Sequence, residues 1–408
     1  MGDPLFTDGL DAGVVLIVVV KALLCFAFVL VGVILMIWFE RKVLADMQNR
    51  VGPARAGKWG LLQTLADGIK LIFKEDVKPD RADRPVYRLA PYLSVAPAFL
   101  TFCIVPIAGG FSGDDSGSVH LFGHDTYLQV ADPPVGVLFL LAMSSVGIYG
   151  IMLAGWSSGS KYPLLGSVRA SALMVSYEAA LGLSVVAIVL LTGALSTHTI
   201  VDSQADSFFD WNLFRTGGIP FAIFFVAACA ELNRAPFDLV EAEQELVGGF
   251  HTEYSSIRFG MFYLSEYMNL ITMSAIIVTL FFGGPSPAFG PDGVLIGLVW
   301  FVAKLIFFLF VFVWIRATLP RFRYDQLMDL GWKRLIPAAL GWLLLLGAIR
   351  IGQDEEWFAT NDVVNAAAIV GISVVIAFVC GVGILVAMRA ADRDRIIEER
   401  PGDVARVP

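Results

Sequence analysis

Residues 14–38 read VVLIVVVKALLCFAFVLVGVILMIW, an apolar run interrupted by a single charge, Lys21. A helix rises about 1.5 Å per residue, so about 20 such residues cross the roughly 30 Å hydrocarbon core of a bilayer. This run is long enough. The residues before it, MGDPLFTDGLDAG, are acidic where a secretory signal is basic, and the run is too long for a signal core. A retained first span is expected.

Eight further stretches pass the same test, near 89–111, 134–155, 168–192, 218–234, 257–282, 294–317, 335–350 and 364–388. Those at 218–234 and 335–350 are the shortest. Composition agrees with the count. The 408 residues are 57% hydrophobic and only 16% charged, with a mean hydropathy of +0.72, whereas a soluble domain is about 25% charged. There are too few polar residues to cover a soluble surface, and disordered and disulfide-rich secreted classes are excluded with it. The expected fold class is an all-α polytopic membrane protein. It has about nine transmembrane helices, an amphipathic interfacial helix over about 59–75, and structured cytoplasmic loops. Residues 1–388 read as a single transmembrane domain and 389–408 as a polar cytoplasmic tail.

The net charge of −8 matters less than its distribution. Segments 39–88, 155–169, 234–258, 316–334 and 389–408 alternate with the other loops and hold 25 of the 29 Lys and Arg. The opposite loops hold Asp114, Asp115, Asp125, Asp202, Asp206, Asp210, Asp354, Glu355 and Glu356, with Arg215 and Arg350 as the main basic exceptions. The positive-inside rule puts the basic segments and the C-terminus in the cytoplasm and the N-terminus outside.

Cys25, Cys103, Cys229 and Cys380 lie singly in apolar runs and read as small buried hydrophobes. Clusters and structural zinc need grouped thiolates or imidazoles, so no such centre is expected in this chain. His120 and His124 lack a clear third ligand, and no metal is expected there. Gly52 to Trp59 nearly spells a P-loop. Trp59 stands where magnesium needs a hydroxyl, and the segment follows a membrane helix rather than a strand. Nucleic acid is not among the expected partners.

From Trp59 to Glu75 the apolar residues Leu62, Leu65, Ala66, Ile69, Ile72 and Phe73 recur at helical spacing, with Gln63, Asp67, Lys70 and Lys74 on another face. Such a helix lies on the bilayer or against other helices. It reads equally as an interfacial anchor or as the floor of a cavity for an amphiphilic ligand.

Beyond the first span, four ionisable groups fall inside apolar spans and are singled out: Glu178, Glu231, Glu266 and Lys304. A charge at a helix centre costs roughly 2.5–3.5 kcal/mol on insertion scales, so each needs a reason. Local pairing, for example of Lys304 with a glutamate, is one reading. A hydrated proton path opening to the cytoplasm is the other. Between the fifth and sixth spans, Glu231 to Phe250 carries Asp238, Glu241, Glu243 and Glu245 close together, and Pro236 should end the fifth helix. Asp238 with Glu241 resembles a capping pair for a short helix ending at Gly248-Gly249. Like charges so spaced repel, and Arg234, Arg258, a partner's basic groups or partial protonation could relieve them. Arg316 to Met328 mixes arginines with aromatics; it reads as a basic flank, or as a set of partners for those acids.

Taken together, Glu40-Arg41-Lys42 with Arg50-Val51-Gly52-Pro53, Ala66-Asp67-Gly68-Ile69-Lys70, Ser176-Tyr177-Glu178, Asn233 to Asp238 with His251-Thr252-Glu253-Tyr254, Ser265-Glu266-Tyr267 and Arg316 to Met328 are similar, in this order, to the H-subunit family of NADH-quinone oxidoreductase, respiratory complex I. The resemblance implies a subunit that joins a redox arm to a proton-pumping membrane arm and lines much of a quinone tunnel. Quinone would be the substrate, no cofactor would sit in this chain, and partner subunits would supply FMN and iron–sulfur clusters. Other partners would be antiporter-like membrane subunits. By matching position, Arg41, Arg50, Asp67, Lys70, Arg234, Asp238, Arg316 and Arg321 would belong to the quinone chamber or its rim. Glu178, Glu231, Glu241, Glu243, Glu253, Glu266 and Lys304 would begin a proton and charge relay. The sequence departs from the family at Leu232, where many members have a small polar residue, and 364–408 lies beyond the matching stretches. A proton-coupled transporter, or the related membrane subunit of an energy-converting hydrogenase, remain the alternatives.

Overall fold

The computed structural model describes residues 3–6, 11–111, 117–238, 246–287, 289, 291, 293–354 and 371. Its helices are α1 (Ala12–Met47), α2 (Gln63–Phe73), α3 (Arg84–Phe102), α4 (Gly136–Ser157), α5 (Lys161–Thr192), α6 (Ile219–Glu231), α7 (Ser256–Phe281), α8 (Val294–Thr318) and α9 (Ile336–Asp354). A short helix, Tyr324–Asp329, runs through a π-helical turn into α9. Six helical stretches among the described residues are long and apolar enough to cross a membrane. The chain is thus an all-α polytopic membrane protein.

Differences from the expected bounds have local causes. The first helix does not stop at Trp38 but continues to Met47, so Glu40, Arg41 and Lys42 ride on it. Asn49, at φ 52, then breaks the helix. The span expected at 89–111 ends at Phe102, four residues before Pro106. The one expected at 218–234 shrinks to the 13 residues of α6, about 20 Å long, closed by Asn233 at φ 49. That expected at 364–388, with the tail 389–408, lies outside the described residues. The interfacial helix forms over 63–73. One feature is not helical: Ser118–Leu121 pairs antiparallel with His124–Tyr127. Phe122 and Gly123 turn between them, both at positive φ, the geometry that matches the twist of a two-residue hairpin.

Helices α3, α4, α5 and α6 pack in succession, and α7 closes against α3, α1 and α8. Most of α7 is buried, including Met268, Leu270, Ile277 and Phe281, so it is the axis around which the polar groups are arranged. Glycine permits the closest approaches. At Gly155 a Cβ would fall 2.3 Å from the Pro163 carbonyl oxygen, and at Gly150 2.8 Å from the Ser94 backbone nitrogen. The α4 backbone therefore touches both neighbours.

Candidate functional site

The site is centred on Glu40, on the extended end of α1 and only 2% exposed. Its Oε2 accepts a hydrogen bond from Arg234 Nη1 at 2.8 Å, and its Oε1 accepts from Arg316 Nη1. The other terminal nitrogen of Arg234 lies 3.1 Å from Glu266 Oε1, and its guanidinium sits 4.5 Å from the centre of the Tyr267 ring. Four elements meet here: α1, the turn after α6, α7 and α8. A buried carboxylate is tolerable only when paired and hydrogen-bonded. The arginine fork is suited to bridging two carboxylates.

Next to this cluster, Arg41 Nη1 donates to Asp67 Oδ2 at 2.6 Å, which ties α1 to α2. Gln63 donates to the other Asp67 oxygen at 3.3 Å, and Lys70 lies 3.9 Å from it. The C-terminal carbonyls of α2 are held by Ser256, whose Oγ reaches Leu71 O at 3.0 Å and Lys74 O at 2.8 Å. Leu62, Leu65, Ile69, Ile72 and Phe73 remain exposed on α2. Asp238 pairs with Arg321 at 2.9 Å.

On the other side of α7 lies a cavity of about 180 Å³, with room for several waters. Glu231 and Glu266 both line it, with Asn233, His251, Asn269 and Thr272. Ser144 Oγ donates to Glu231, and the adjacent Ser145 Oγ is in hydrogen-bond contact with Glu178. Two neighbouring serines on α4 thus contact one carboxyl presented by α6 and one presented by α5. Burial pushes the His251 imidazole down from 6.5 to about 4, so it is neutral in the cavity wall. Burial likewise pushes the Tyr254 phenol up to about 12.

The structure therefore assembles Arg41, Asp67 and Lys70, then Arg234, Arg316 and Glu266, then Asp238 and Arg321, and finally Glu178 and Glu231. Arg50 is exposed beyond the end of α1. Glu253 offers its backbone carbonyl to Tyr87 Oη at 2.7 Å and does not line the cavity. Lys304 pairs with no glutamate of the described residues: its ammonium donates to three backbone carbonyls past the far end of α7. Glu241, Glu243 and Glu245 lie outside the described residues, as does most of the short helix expected there. Arg234 bridges Glu40 and Glu266, Arg258 pairs with Asp76 at 3.2 Å, and Arg316 pairs with Glu40.

Sequence reasoning missed Glu40, Ser144 and Ser145 as site residues. Glu40 could have been found by asking which acid neutralises Arg316, and the serines by their adjacency in an otherwise apolar span. Among the described residues no group of three His, Cys, Asp or Glu could hold a metal.

Residues 20–347 match the model of the NADH dehydrogenase family. A Frankia alni protein, named as the H subunit of NADH-quinone oxidoreductase, is 49% identical over 366 residues, covering 88% of this chain and 79% of that one. The chain belongs to the H-subunit family of NADH-quinone oxidoreductase. The same name and the same 49% identity hold for a Streptomyces avermitilis protein over 348 residues, 84% of this chain and 75% of the relative. As a member of that family, the chain is one part of a multi-subunit membrane enzyme and has other subunits of that enzyme as partners. The charged clusters above belong to that context.

Proposed function

We propose that this protein couples quinone reduction to proton movement, with the basic side facing the cytoplasm. The observation that carries the reading is the position of Arg234. One guanidinium joins Glu40, beside the Arg41–Asp67 pair and the exposed apolar face of α2, to Glu266, which lines the cavity. A quinone admitted along α2 would lie against Arg41, Asp67 and Lys70, with Asp238, Arg316 and Arg321 at the charged rim. Partner subunits supply the FMN, the iron–sulfur clusters and the rest of the quinone site. A change of charge at the quinone shifts the Glu40–Arg234–Glu266 balance, and the cavity carries the proton exchange that follows to Glu231, then through Ser144 and Ser145 to Glu178. The loop acids Glu241 and Glu243, and Glu253, extend this relay on the cytoplasmic side.

The energetic scale is adequate, since moving one charge against 100 mV takes about 2.3 kcal/mol. Glu231→Gln keeps the volume and removes the exchangeable proton. In the assembled complex it should lower coupled quinone reductase activity about a hundredfold, the low end for loss of a proton-transfer group. Full turnover and full pumping in this variant, with assembly verified, would remove Glu231 from the relay.

A further inference from the structure

Lys304 is buried in α8, 8% exposed, and its ammonium donates to the carbonyls of Phe282 at 2.7 Å, Gly284 at 3.0 Å and Ser286 at 2.7 Å. Three acceptors at these distances use all three N–H bonds of an ammonium; a neutral amine would turn a lone pair on one of them. The contact geometry suits the ammonium form. Its partners are the dipoles of the carbonyls that follow the C-terminus of α7, the negative end of that helix, and the face of Trp211 at 4.7 Å. Dipoles stabilise an ion without neutralising it, and none of the ion pairs among the described residues includes Lys304. Among the described residues no carboxylate cancels the ammonium's charge.

Its place along α7 gives that charge a use. Glu266, Asn269 and Thr272 put the cavity on the first half of the helix. Further along, Ile276, Thr279 and Leu280 line a second void of only about 10 Å³, and Leu140 lines both. The second void holds at most one water and offers it few polar partners. Beyond it, Gln204 Nε2 donates to Thr279 O at 3.2 Å and Gln204 Oε1 accepts from Gly283 N, one residue from the carbonyl of Phe282 that Lys304 holds. From Glu266 to Phe282 is about 24 Å along the helix. The line along α7 from the cavity toward the opposite side thus crosses an apolar constriction and ends at the Lys304 amine on its carbonyls.

We propose that the Lys304 ammonium, held on the carbonyls of Phe282, Gly284 and Ser286, is an electrostatic seal that stops protons in the cavity from leaking to the opposite side of the membrane. The inference rests on the cavity carrying protons. A desolvated positive charge on such a line repels a proton as pore-lining arginines and half-helix dipoles do in water channels. Lys304 is then outside the relay and sets its one-sidedness.

The test uses the whole enzyme, reconstituted in liposomes without substrate, with a pH gradient imposed and its decay followed by a trapped dye. Lys304→Gln keeps donors but removes the charge, and should let the gradient decay several-fold faster than wild type. Lys304→Arg keeps the charge and should be as tight as wild type. A Lys304→Gln enzyme as tight as wild type overturns the proposal, and so does a Lys304→Arg enzyme as leaky as Lys304→Gln, since that is a packing defect. Should Lys304→Gln fail to assemble, Thr279→Asp puts a counter-charge one turn from Phe282 with the lysine in place. It should leak, and a tight Thr279→Asp enzyme overturns the seal. Because the readout needs no turnover, failure of the relay itself would show separately, in Glu231→Gln pumping.

Discussion

Two ends of the same helices bury charge in opposite ways. On the side opposite the basic segments, Lys21 donates to Asp3 at 2.9 Å, Thr126 at 2.8 Å and the Tyr127 carbonyl at 3.1 Å, and Lys304 holds three carbonyls. Each ammonium has as many acceptors as protons. On the basic side, Glu231 Oε2, Asn233 Oδ1 and Arg234 Nε are buried without a hydrogen-bond partner among the described residues, beside a cavity able to hold water. Saturated ions are fixed, whereas unsaturated ones next to water can exchange partners and protons. The two lysines hold charge still and the groups beside the cavity can let it move, while Asp132 Oδ2 on the lysines' side is also buried without a hydrogen-bond partner among the described residues.

The largest effect that could break this contrast lies at Arg234. Arg234→Met leaves Glu40 and Glu266 facing each other, with only Arg316 on Glu40. Removing one partner of a buried ion pair costs about 3–5 kcal/mol. Little intact enzyme is expected, measured as NADH-quinone reductase activity and as assembled complex on a native gel. Arg234→Lys should recover only part of it, because a point charge cannot bridge two carboxylates as the fork does. Glu40→Gln combined with Arg234→Met should assemble better than Arg234→Met alone, since the stranded carboxylate goes with its partner.

Lys21→Met is the matching change at the saturated end. It strands Asp3, which keeps hydrogen bonds from the Leu5 backbone and from Thr126, so the loss is about 1–3 kcal/mol. Glu40 is about 28 Å further along α1. Thermal inactivation should come several degrees earlier with the quinone reductase rate unchanged, and Asp3→Asn in the same chain should restore much of the loss. A fall in rate at full stability would show that this end also takes part in coupling.

How much of the contrast could be read in advance is instructive. Six of the nine expected spans were legible because roughly 20-residue apolar runs have few other solutions, and the acids at 178, 231 and 266 stood out because charge is rare there. What the pattern could not show was pairing across more than a hundred residues, or even across one loop. Arg234 meets Glu40 across 194 positions and Arg321 meets Asp238 across 83, and nothing periodic marks either. The pairing of Lys304 with a glutamate was expected for the same reason: a lysine in a span advertises its cost but not its partners. Carbonyls of a loop leave no trace in composition. The hairpin at 118–127 was hidden because its decisive signal is a pair of positive-φ residues, one of which is Phe122 rather than the usual Asn or Asp.

A smaller effect separates rim from core on the basic side. The Arg41 and Asp67 side chains are 39% and 30% exposed, and an ion pair that wet is worth at most about 1 kcal/mol. Asp67→Asn should therefore leave assembly and thermal stability near wild type. If the pair lies on the quinone rim, the apparent KM for quinone rises while kcat is largely kept. A matching fall in both kcat and kcat/KM would move Asp67 from the rim into the reacting site.

The smallest effect concerns His251, which decides whether the exchangeable region includes an imidazole. Its folded value of about 4 lies below the ordinary 6.5. An unfolded chain binds a proton at this residue as pH falls below 6.5, while the folded chain does not until about pH 4. The stability it contributes is therefore complete above pH 6.5 and is lost as pH falls through that window, at up to about 1.4 kcal/mol per pH unit. Wild type should lose about 1 kcal/mol more than His251→Asn between pH 7.5 and 5.5 from this source, seen as a larger drop in the thermal inactivation midpoint. The ratio of the two quinone reductase rates should stay flat across pH 6–8. An inflection in that ratio near 6.5 would mean that His251 titrates with the carboxyls and belongs to the proton path; a flat ratio leaves Glu231 and Glu266 as the cavity's exchanging groups.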